Sequence, residues 1–291
     1  MFYLFATILL NVLISAIFKM LPKYNIDGLQ AIVVNYCVCV ITGSVFLGHM
    51  PFHAEHLTQS WFPWALLMGA AFISIFNLIA YCTRVDGITT ATIANKLSLV
   101  IPVTLSIVLF HEASGIFKIS GIVLALPAVY LTTRVKEASG KTPSLFWPML
   151  LFIGSGLLDA LVNYVQRTFL EGPELQATYT VYCFAVAACF GLVTVAIMLT
   201  LKKIKLHWRN IIAGICIGVP NYFSIYFLIR AINCGVMQSS ATIPIINIGT
   251  LVVSALTAIT IFKEKANMQR IIGLVLSVIA ILLIASGDLK W

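Results

Sequence analysis

The sequence predicts an all-α membrane protein with ten transmembrane helices, arranged as two inverted five-helix repeats. Three observations carry this prediction. Hydrophobic residues make up 60% of the 291-residue chain and charged residues only 10%, and the mean hydropathy is +1.02. The apolar residues fall into ten runs of membrane-spanning length. Finally, the same short motifs occur twice, once in each half of the chain.

The composition excludes a soluble protein. A soluble domain of this size has too little interior to bury so much apolar surface, so we expect membrane lipid to be the solvent. No polar stretch is long enough to form an appended soluble domain. We expect the net charge of +8 to face the cytoplasmic leaflet of a membrane, and we expect no nucleic-acid partner.

The ten spans follow from the length of the apolar runs. A bilayer core of about 30 Å requires about 20 apolar residues of helix. Runs of this kind lie at 2–19, 28–48, 61–83, 88–110, 117–134, 145–168, 176–201, 208–233, 236–262 and 268–287. The connections between them are short and contain turn residues such as Pro22 and Gly87.

The internal duplication is visible in paired motifs. Leu29-Gln30-Ala31 recurs as Leu175-Gln176-Ala177, and Ala91-Thr92-Ile93 recurs as Ala241-Thr242-Ile243. Such pairs are separated by roughly 146 to 152 positions, about half the chain, and a fixed offset over several motifs marks a duplication.

The repeats are expected to be halves of one membrane bundle, covering residues 1–140 and 141–291. Each half holds five spans, so the second half enters the membrane in the opposite sense. Paired inverted repeats are a common architecture of transporters, in which the substrate binds where the repeats meet.

The distribution of Lys and Arg predicts the orientation. Most of them lie in the connections after spans 1, 3, 5, 7 and 9, and only four border the other side: Lys118, Arg167, Arg230 and Lys290. The positive-inside rule therefore places the odd connections in the cytoplasm. We expect a multi-pass protein of a bacterial inner membrane with both termini in the periplasm.

Two charges lie well inside the predicted spans. Lys96 is in span 4 and Asp159 is near the middle of span 6. A charge at this depth costs several kcal/mol unless it faces a cavity or a partner. We expect Lys96 to bind an anionic group of a solute, and a structural ion pair is the alternative. Asp159 is a candidate counter-ion or proton carrier, but its counterpart in the first repeat is the neutral Asn11, so a structural role is equally compatible.

Polar uncharged residues inside the spans complete the candidate substrate-binding site. Asn supplies a donor and an acceptor, and Tyr supplies a ring with a hydroxyl, which suits a small polar solute better than a lipid. The alternative is that these side chains bond neighbouring helices. The candidates are Asn35, Tyr36, Asn163, Asn221, Tyr222 and Asn247.

Four prolines are predicted to interrupt spans. Pro102, Pro127, Pro220 and Pro244 lie in spans 4, 5, 8 and 9. Each proline frees backbone carbonyls that must find partners within the protein or in a wet cavity.

No motif for a cofactor, a metal or catalysis is complete. Gly140-Lys141-Thr142 looks like the end of a phosphate-binding loop, but Val135 stands where that loop has a glycine. His49, His53 and His56 cluster with Glu55 after span 2, where a solvated loop is favoured over a zinc site. We expect no cofactor, no metal and no enzymatic activity.

Two repeat endings resemble a known family. Ile101-Pro102-Val103 followed by Phe110-His111-Glu112 and Gly121 resembles the ending of EamA-type repeats in the drug/metabolite transporter superfamily. Ile261-Phe262-Lys263-Glu264 with Gly273 resembles the same ending in the second half. Ala94-Asn95-Lys96-Leu97-Ser98 resembles a stretch found in a subgroup of bacterial members.

The resemblance implies ten helices around a central cavity lined by spans 1, 3, 4, 6, 8 and 9. It also implies transport of amino acids, sugars, nucleotide sugars, cationic drugs or other metabolites. Ten-span members of the family typically keep both termini in the cytoplasm, which is the reverse of the orientation that the Lys and Arg distribution predicts.

The expected function is secondary active transport of a small polar metabolite, such as an amino acid or another carboxylate, by alternating access. Protons are one candidate for the coupling ion, and both a monomer and a homodimer fit the sequence. A multidrug or hydrophobic-cation exporter is the alternative within transport. The alternatives from another class are a membrane-embedded enzyme and a non-transporting scaffold.

Overall fold

The computed structural model describes residues 2–110, 115–133, 145–170, 172–233, 239–264 and 267–286. These residues are helical throughout, apart from short connections, and contain no strand. The helices are α1 Phe2–Met20, α2 Gly28–Leu47, α3 Phe62–Val85, α4 Ile88–Leu97, α5 Val100–Phe110, α6 Ile116–Thr133, α7 Phe146–Phe169, α8 Pro173–Thr200, α9 Trp208–Asn233, α10 Ser239–Thr260 and α11 Met268–Ser286.

Most of these helices can cross a membrane by length and composition. Seven stretches of the described residues qualify, namely Phe2–Tyr24, Gly28–Leu47, Phe62–Val85, Ile88–Leu105, Glu174–Thr200, Trp208–Leu228 and Met268–Ser286. Shorter apolar helices lie at Ile116–Leu131, Phe146–Val162 and Ile245–Thr260. The predicted all-helical class and its apolar, membrane-capable helices are confirmed. The number of ten crossings and their inverted order stay predictions.

The chain divides into two compact units. The first unit comprises residues 1–19, 79–157 and 223–291, and the second comprises residues 20–78 and 158–222. Each unit therefore draws segments from both halves of the sequence. These units describe packing, whereas the division into repeats at residue 140 describes duplication and stays a prediction.

In the second unit, α2 packs on α8 through two glycines. A Cβ atom at Gly43 would lie 2.8 Å from Val181, and one at Gly191 would collide with Val33. Small residues allow helices to approach this closely, and they are common between membrane helices. The C-terminal part of α2 contacts the N-terminal part of α8, and the N-terminal part of α2 contacts the C-terminal part of α8. The two helices are therefore antiparallel.

A second close contact joins α2 to α9 in the same unit. A Cβ atom at Gly214 would lie 2.7 Å from the carbonyl oxygen of Ala31, and one at Gly218 would lie 2.9 Å from that of Asn35. Both contacts advance in the same direction along the two helices. Helices α2 and α9 are therefore parallel, and their backbones are too close for any larger residue.

In the first unit, α6 packs on α11 in the same way. A Cβ atom at Gly121, early in α6, would lie 2.8 Å from the carbonyl oxygen of Ala280, late in α11. The two helices are therefore antiparallel. Helix α10 contacts both α4 and α11, and Ile246 of α10 shares a buried cluster with Leu4 and Ile8 of α1.

The prolines have two different outcomes. The predicted span 88–110 is interrupted at Ser98 and Leu99, between α4 and α5, close to Pro102. The predicted interruptions at Pro127 and Pro220 are wrong, because α6 and α9 continue through these residues. The backbone of α10 also continues through position 244. A proline removes one helical hydrogen bond, and a helix held by its neighbours can absorb that loss as a kink.

Candidate functional site

The candidate site is built around the interruption between α4 and α5. Pro102 has no N–H group, so the carbonyl of Ser98, four residues earlier, lacks its usual helical donor. The N–H group of Ile101 donates to that carbonyl instead, at 2.9 Å. The chain turns at Ser98 and Leu99 and resumes as α5 at Val100, where Pro102 falls in the first helical turn and is tolerated.

Lys96 lies in the last turn of α4, directly before the interruption, and is half-buried. The C-terminal end of a helix carries a partial negative charge that stabilises a cation. The interruption therefore places such an end inside an apolar segment, beside the ammonium group. Discontinuous helices of this kind bind ions and charged groups of solutes in transporters.

Helix α7 holds the chain on both sides of the interruption. The Nδ2 of Asn95 donates to Oγ of Ser155 at 3.0 Å. At the next position, a Cβ atom at Gly156 would lie 2.7 Å from the carbonyl oxygen of Ser98. The interruption is thus a packed feature of the first unit, with polar groups from two helices beside Lys96.

Sequence reasoning did not find Ser155 as part of this site. A lone serine in an apolar run carries no functional signal of its own. Its neighbour Gly156 was an available signal, because a small pair in a membrane helix marks a close helix contact.

The second unit holds a buried amide cluster. Nδ2 of Asn221 donates to Oδ1 of Asn35 at 3.1 Å and lies 3.5 Å from Sγ of Cys39. The Cys39 thiol in turn contacts the carbonyl oxygen of Gly218 at 3.5 Å. Asn35 is fully buried, and its Nδ2 has no hydrogen-bond partner among the described residues. The cluster ties α2 to α9, which is the helix-bonding role that the sequence left open as the alternative.

Tyr36 lies in the core of the second unit. It is 1% exposed, and its ring centroid lies 5.7 Å from that of Phe76 and 5.9 Å from that of Phe184. Tyr222, in the same unit, is half-buried and lies 5.6 Å from the ring of Phe46.

The remaining predicted residues are distributed over both units. Asn247 is buried on α10 in the first unit, with Lys96. Asp159 is exposed on the part of α7 that belongs to the second unit. Lys96 and Asp159 thus belong to different units, and their pairing stays a prediction. Asn163 lies on α7, and its side chain is outside the described residues.

The histidines after α2 pack on Tyr182 of α8. Nδ1 of His56 lies 3.0 Å from the carbonyl oxygen of Pro51 and 3.3 Å from the Tyr182 hydroxyl. The backbone N–H group of His53 donates to the same hydroxyl at 3.2 Å. Across the described part of the chain, no group of three His, Cys, Asp or Glu side chains is placed to hold a metal ion.

Fold and site together define an all-helical protein with membrane-capable helices and a lysine beside an interrupted helix. No family model matches the chain. An uncharacterized protein of Haemophilus influenzae is 30% identical over 283 residues, which cover 94% of each chain. The chain belongs to the same family as that protein. A protein of known crystal structure aligns over 95% of both chains with a TM-score of 0.56 and 14% identity, which shows a shared fold alone.

Proposed function

We propose that this protein is a secondary active transporter, a permease or exporter, that moves a small polar metabolite bearing a carboxylate, such as an amino acid. The observation that carries the proposal is the position of Lys96, half-buried at the end of α4 where an apolar span is interrupted. A charge in such a place is expensive unless it serves a solute path or a partner. Lys96 binds the carboxylate of the solute.

The packing of repeat-related helices supports an inverted duplication. The paired motifs Leu29-Gln30-Ala31 and Leu175-Gln176-Ala177 lie in the first turns of α2 and α8, so these two helices are counterparts in the predicted repeats. Gly43 of α2 packs on Val181 of α8, and Gly191 of α8 packs on Val33 of α2, so each helix contributes one glycine and one valine to the contact. A twofold relation between antiparallel helices is what two oppositely inserted repeats would produce. Alternating access follows from the exchange of roles between such repeats.

The proposal includes the family and the location. The repeat endings resemble EamA-type members of the drug/metabolite transporter superfamily, and we propose that the family shared with the Haemophilus protein belongs there. The bacterial source of that relative supports a bacterial inner membrane. Protons are the proposed coupling ion, with Asp159 as one candidate carrier. Asn163, Tyr222 and Asn247 keep their proposed role in orienting the solute. The buried Asn35, Tyr36 and Asn221 are proposed to hold the second unit together instead.

Transport by the purified protein in liposomes tests the substrate class. Labelled amino acids and other carboxylates should be accumulated, because a protonated lysine attracts an anion and repels a cation at close range. Protein-free liposomes serve as the control. Movement of quaternary ammonium compounds without movement of carboxylates would overturn the substrate class and favour the multidrug alternative.

A reporter fusion tests the orientation. A fluorescent protein that matures only in the cytoplasm, fused after Trp291, should stay dark in intact cells, because the Lys-rich connections are expected to face the cytoplasm. The positive control is the same reporter fused to a membrane protein whose C-terminus lies in the cytoplasm. A bright fusion would restore the usual orientation of the resembled family.

A further inference from the structure

The N-terminus of α4 is capped by a carboxylate from the far end of the sequence. Oε1 of Glu264, in the connection between α10 and α11, accepts the N–H group of Ile88 at 3.0 Å. Gly87 precedes the helix with φ of +95°, and a Cβ atom there would lie 2.8 Å from the Glu264 carboxylate. Glycine is therefore required at position 87 both for its backbone conformation and for the close approach of Glu264.

Two cations share the same carboxylate. Lys19 Nζ lies 3.4 Å from Oε1, and Arg270 Nη1 lies 3.7 Å from Oε2. Nη2 of Arg270 donates to the carbonyl oxygen of Asp86 at 3.3 Å, which ties the turn before α4 to the start of α11. The Glu264 side chain is only 7% exposed, so these charges interact with little screening by water.

A cap alone does not need these charges. Neutral Ser, Thr or Asn caps a helix as well as an acid does. Burying three charged groups away from water also carries a desolvation cost. The first repeat also has an acid and a base at this spacing, because Glu112 and Lys118 lie 152 positions before Glu264 and Arg270. Lys118 is 3% exposed. The acid and the base have thus both been retained in the two copies.

The opposite end of α4 carries Lys96. Helix α4 has ten residues, so its two ends are about 15 Å apart. Glu264 holds the first turn, and the bond from Asn95 to Ser155 holds the last. The interruption at Ser98 and Leu99 separates α4 from α5. Eight of the ten residues of α4 are buried, so the helix is packed along its length as one rigid element. A displacement of one end of such an element is transmitted to the other end.

We propose that Glu264 is a positioning residue for Lys96, and that it acts through α4. Its carboxylate, held between Lys19 and Arg270, fixes the N-terminus of α4 and thereby the place of the ammonium group at the other end. The consequence for solute binding rests on the proposed function. The mechanical link between Glu264 and α4 does not.

The test compares Glu264→Gln with Glu174→Gln in the full-length protein. Glutamine keeps the acceptor oxygen and the shape but loses the charge that binds Lys19 and Arg270. Glu174 also lies in the first turn of a helix, α8, but is exposed. Hydrogen–deuterium exchange in detergent should speed up selectively over residues 88–97 in Glu264→Gln and stay unchanged in Glu174→Gln.

Kinetics in proteoliposomes give the second measurement. Glu264→Gln should raise KM for a transported carboxylate about tenfold, in the range of ordinary coupling between sites, with a smaller change in the maximal rate. Glu264→Asp keeps the charge and should recover part of the KM. Loss of a merely structural contact would instead lower the yield and accelerate exchange across all helices, with KM unchanged.

Each outcome decides the inference. Unchanged exchange over residues 88–97 in Glu264→Gln overturns it, and so does selective exchange with an unaltered KM. If the wild-type protein transports no carboxylate, the proposed function is wrong. Hydrogen–deuterium exchange over residues 88–97 then still tests whether Glu264 holds α4. If Glu264→Gln cannot be purified, Lys19→Gln replaces it, since Lys19 is the more exposed partner, with a smaller effect expected in the same direction.

Discussion

The contact between α2 and α9 in the second unit is held by neutral groups, whereas the N-terminus of α4 in the first unit is held by charges. On α9, Gly214 and Gly218 bring two continuous helices together, and the Asn35–Asn221 pair bonds them side chain to side chain. In the first unit, α4 is a ten-residue helix with Glu264 at one end and the interruption at the other.

This difference indicates which contact serves stability alone and which one bears on the candidate site. A contact of backbone against backbone allows no sliding, because any shift produces collisions. Ion pairs tolerate small shifts and can exchange partners with a charged solute. We therefore expect substitutions between α2 and α9 to reduce stability, and substitutions around α4 to change transport.

The largest expected effect is that of Lys96→Ala on transport. A charged hydrogen bond contributes about 1.5–3 kcal/mol, and tenfold corresponds to about 1.4 kcal/mol. Carboxylate transport, measured as initial rate over KM, should fall about 10- to 100-fold or be lost. Lys203→Ala, which changes an exposed lysine between α8 and α9, is the control. Wild-type transport by Lys96→Ala would remove Lys96 from the site.

The next largest effect is that of Gly214→Ala on stability. The new Cβ atom would lie 2.7 Å from the Ala31 carbonyl oxygen, and a backbone atom cannot rotate away. Overpacking of this kind costs about 1–3 kcal/mol, so the melting temperature in detergent should fall. Gly28→Ala is the matched control, because its Cβ atom would meet only Leu21, at 3.9 Å. Equal effects of the two substitutions would show that α2 and α9 are not packed as described.

Replacement of the buried amides should give a smaller, non-additive loss of stability. Asn221→Leu removes the donor to Asn35 and leaves a buried amide unsatisfied, which costs about 1–3 kcal/mol. Adding Asn35→Leu removes the unsatisfied group. The double variant should therefore lose less stability than the two single variants lose together. Asn77→Ala is the control, since the bond that Asn77 makes among the described residues stays within its own helix, to Ile73. Strict additivity would mean that the two amides do not interact.

Much of the helix layout could be predicted from the sequence. Helix α9 spans the predicted residues 208–233, and the other apolar runs end within a few residues of the observed helices. A run of about 20 apolar residues has few other ways to satisfy its backbone in lipid. Hydropathy does not report a two-residue interruption such as Ser98 and Leu99, because neither residue is polar enough to divide the run.

The contacts that define the candidate site could not be predicted from the sequence. Lys96 was found because a charge in an apolar run is unusual. Glu264 was visible only as part of a repeated motif, since its partner Ile88 is 176 positions away and nothing local indicates which backbone group it caps. Pro102 and Pro220 look equivalent in sequence, yet only the chain near Pro102 is interrupted, because neighbouring helices decide whether a kink suffices.

The smallest expected effect concerns the Lys96 end of α4. Ser155→Ala removes the acceptor for Asn95 Nδ2. The Asn95 side chain is half-buried, so a water molecule can replace part of the lost bond. The stability loss should stay near 0.5–1.5 kcal/mol. If Lys96 is placed by both ends of α4, KM for the carboxylate should still rise about two- to fivefold, and the combination with Glu264→Gln should be non-additive because both act on one rigid element. Thr104→Ala, which changes a bond within α5, is the control. Additive changes in KM would show that the two ends of α4 act independently on Lys96.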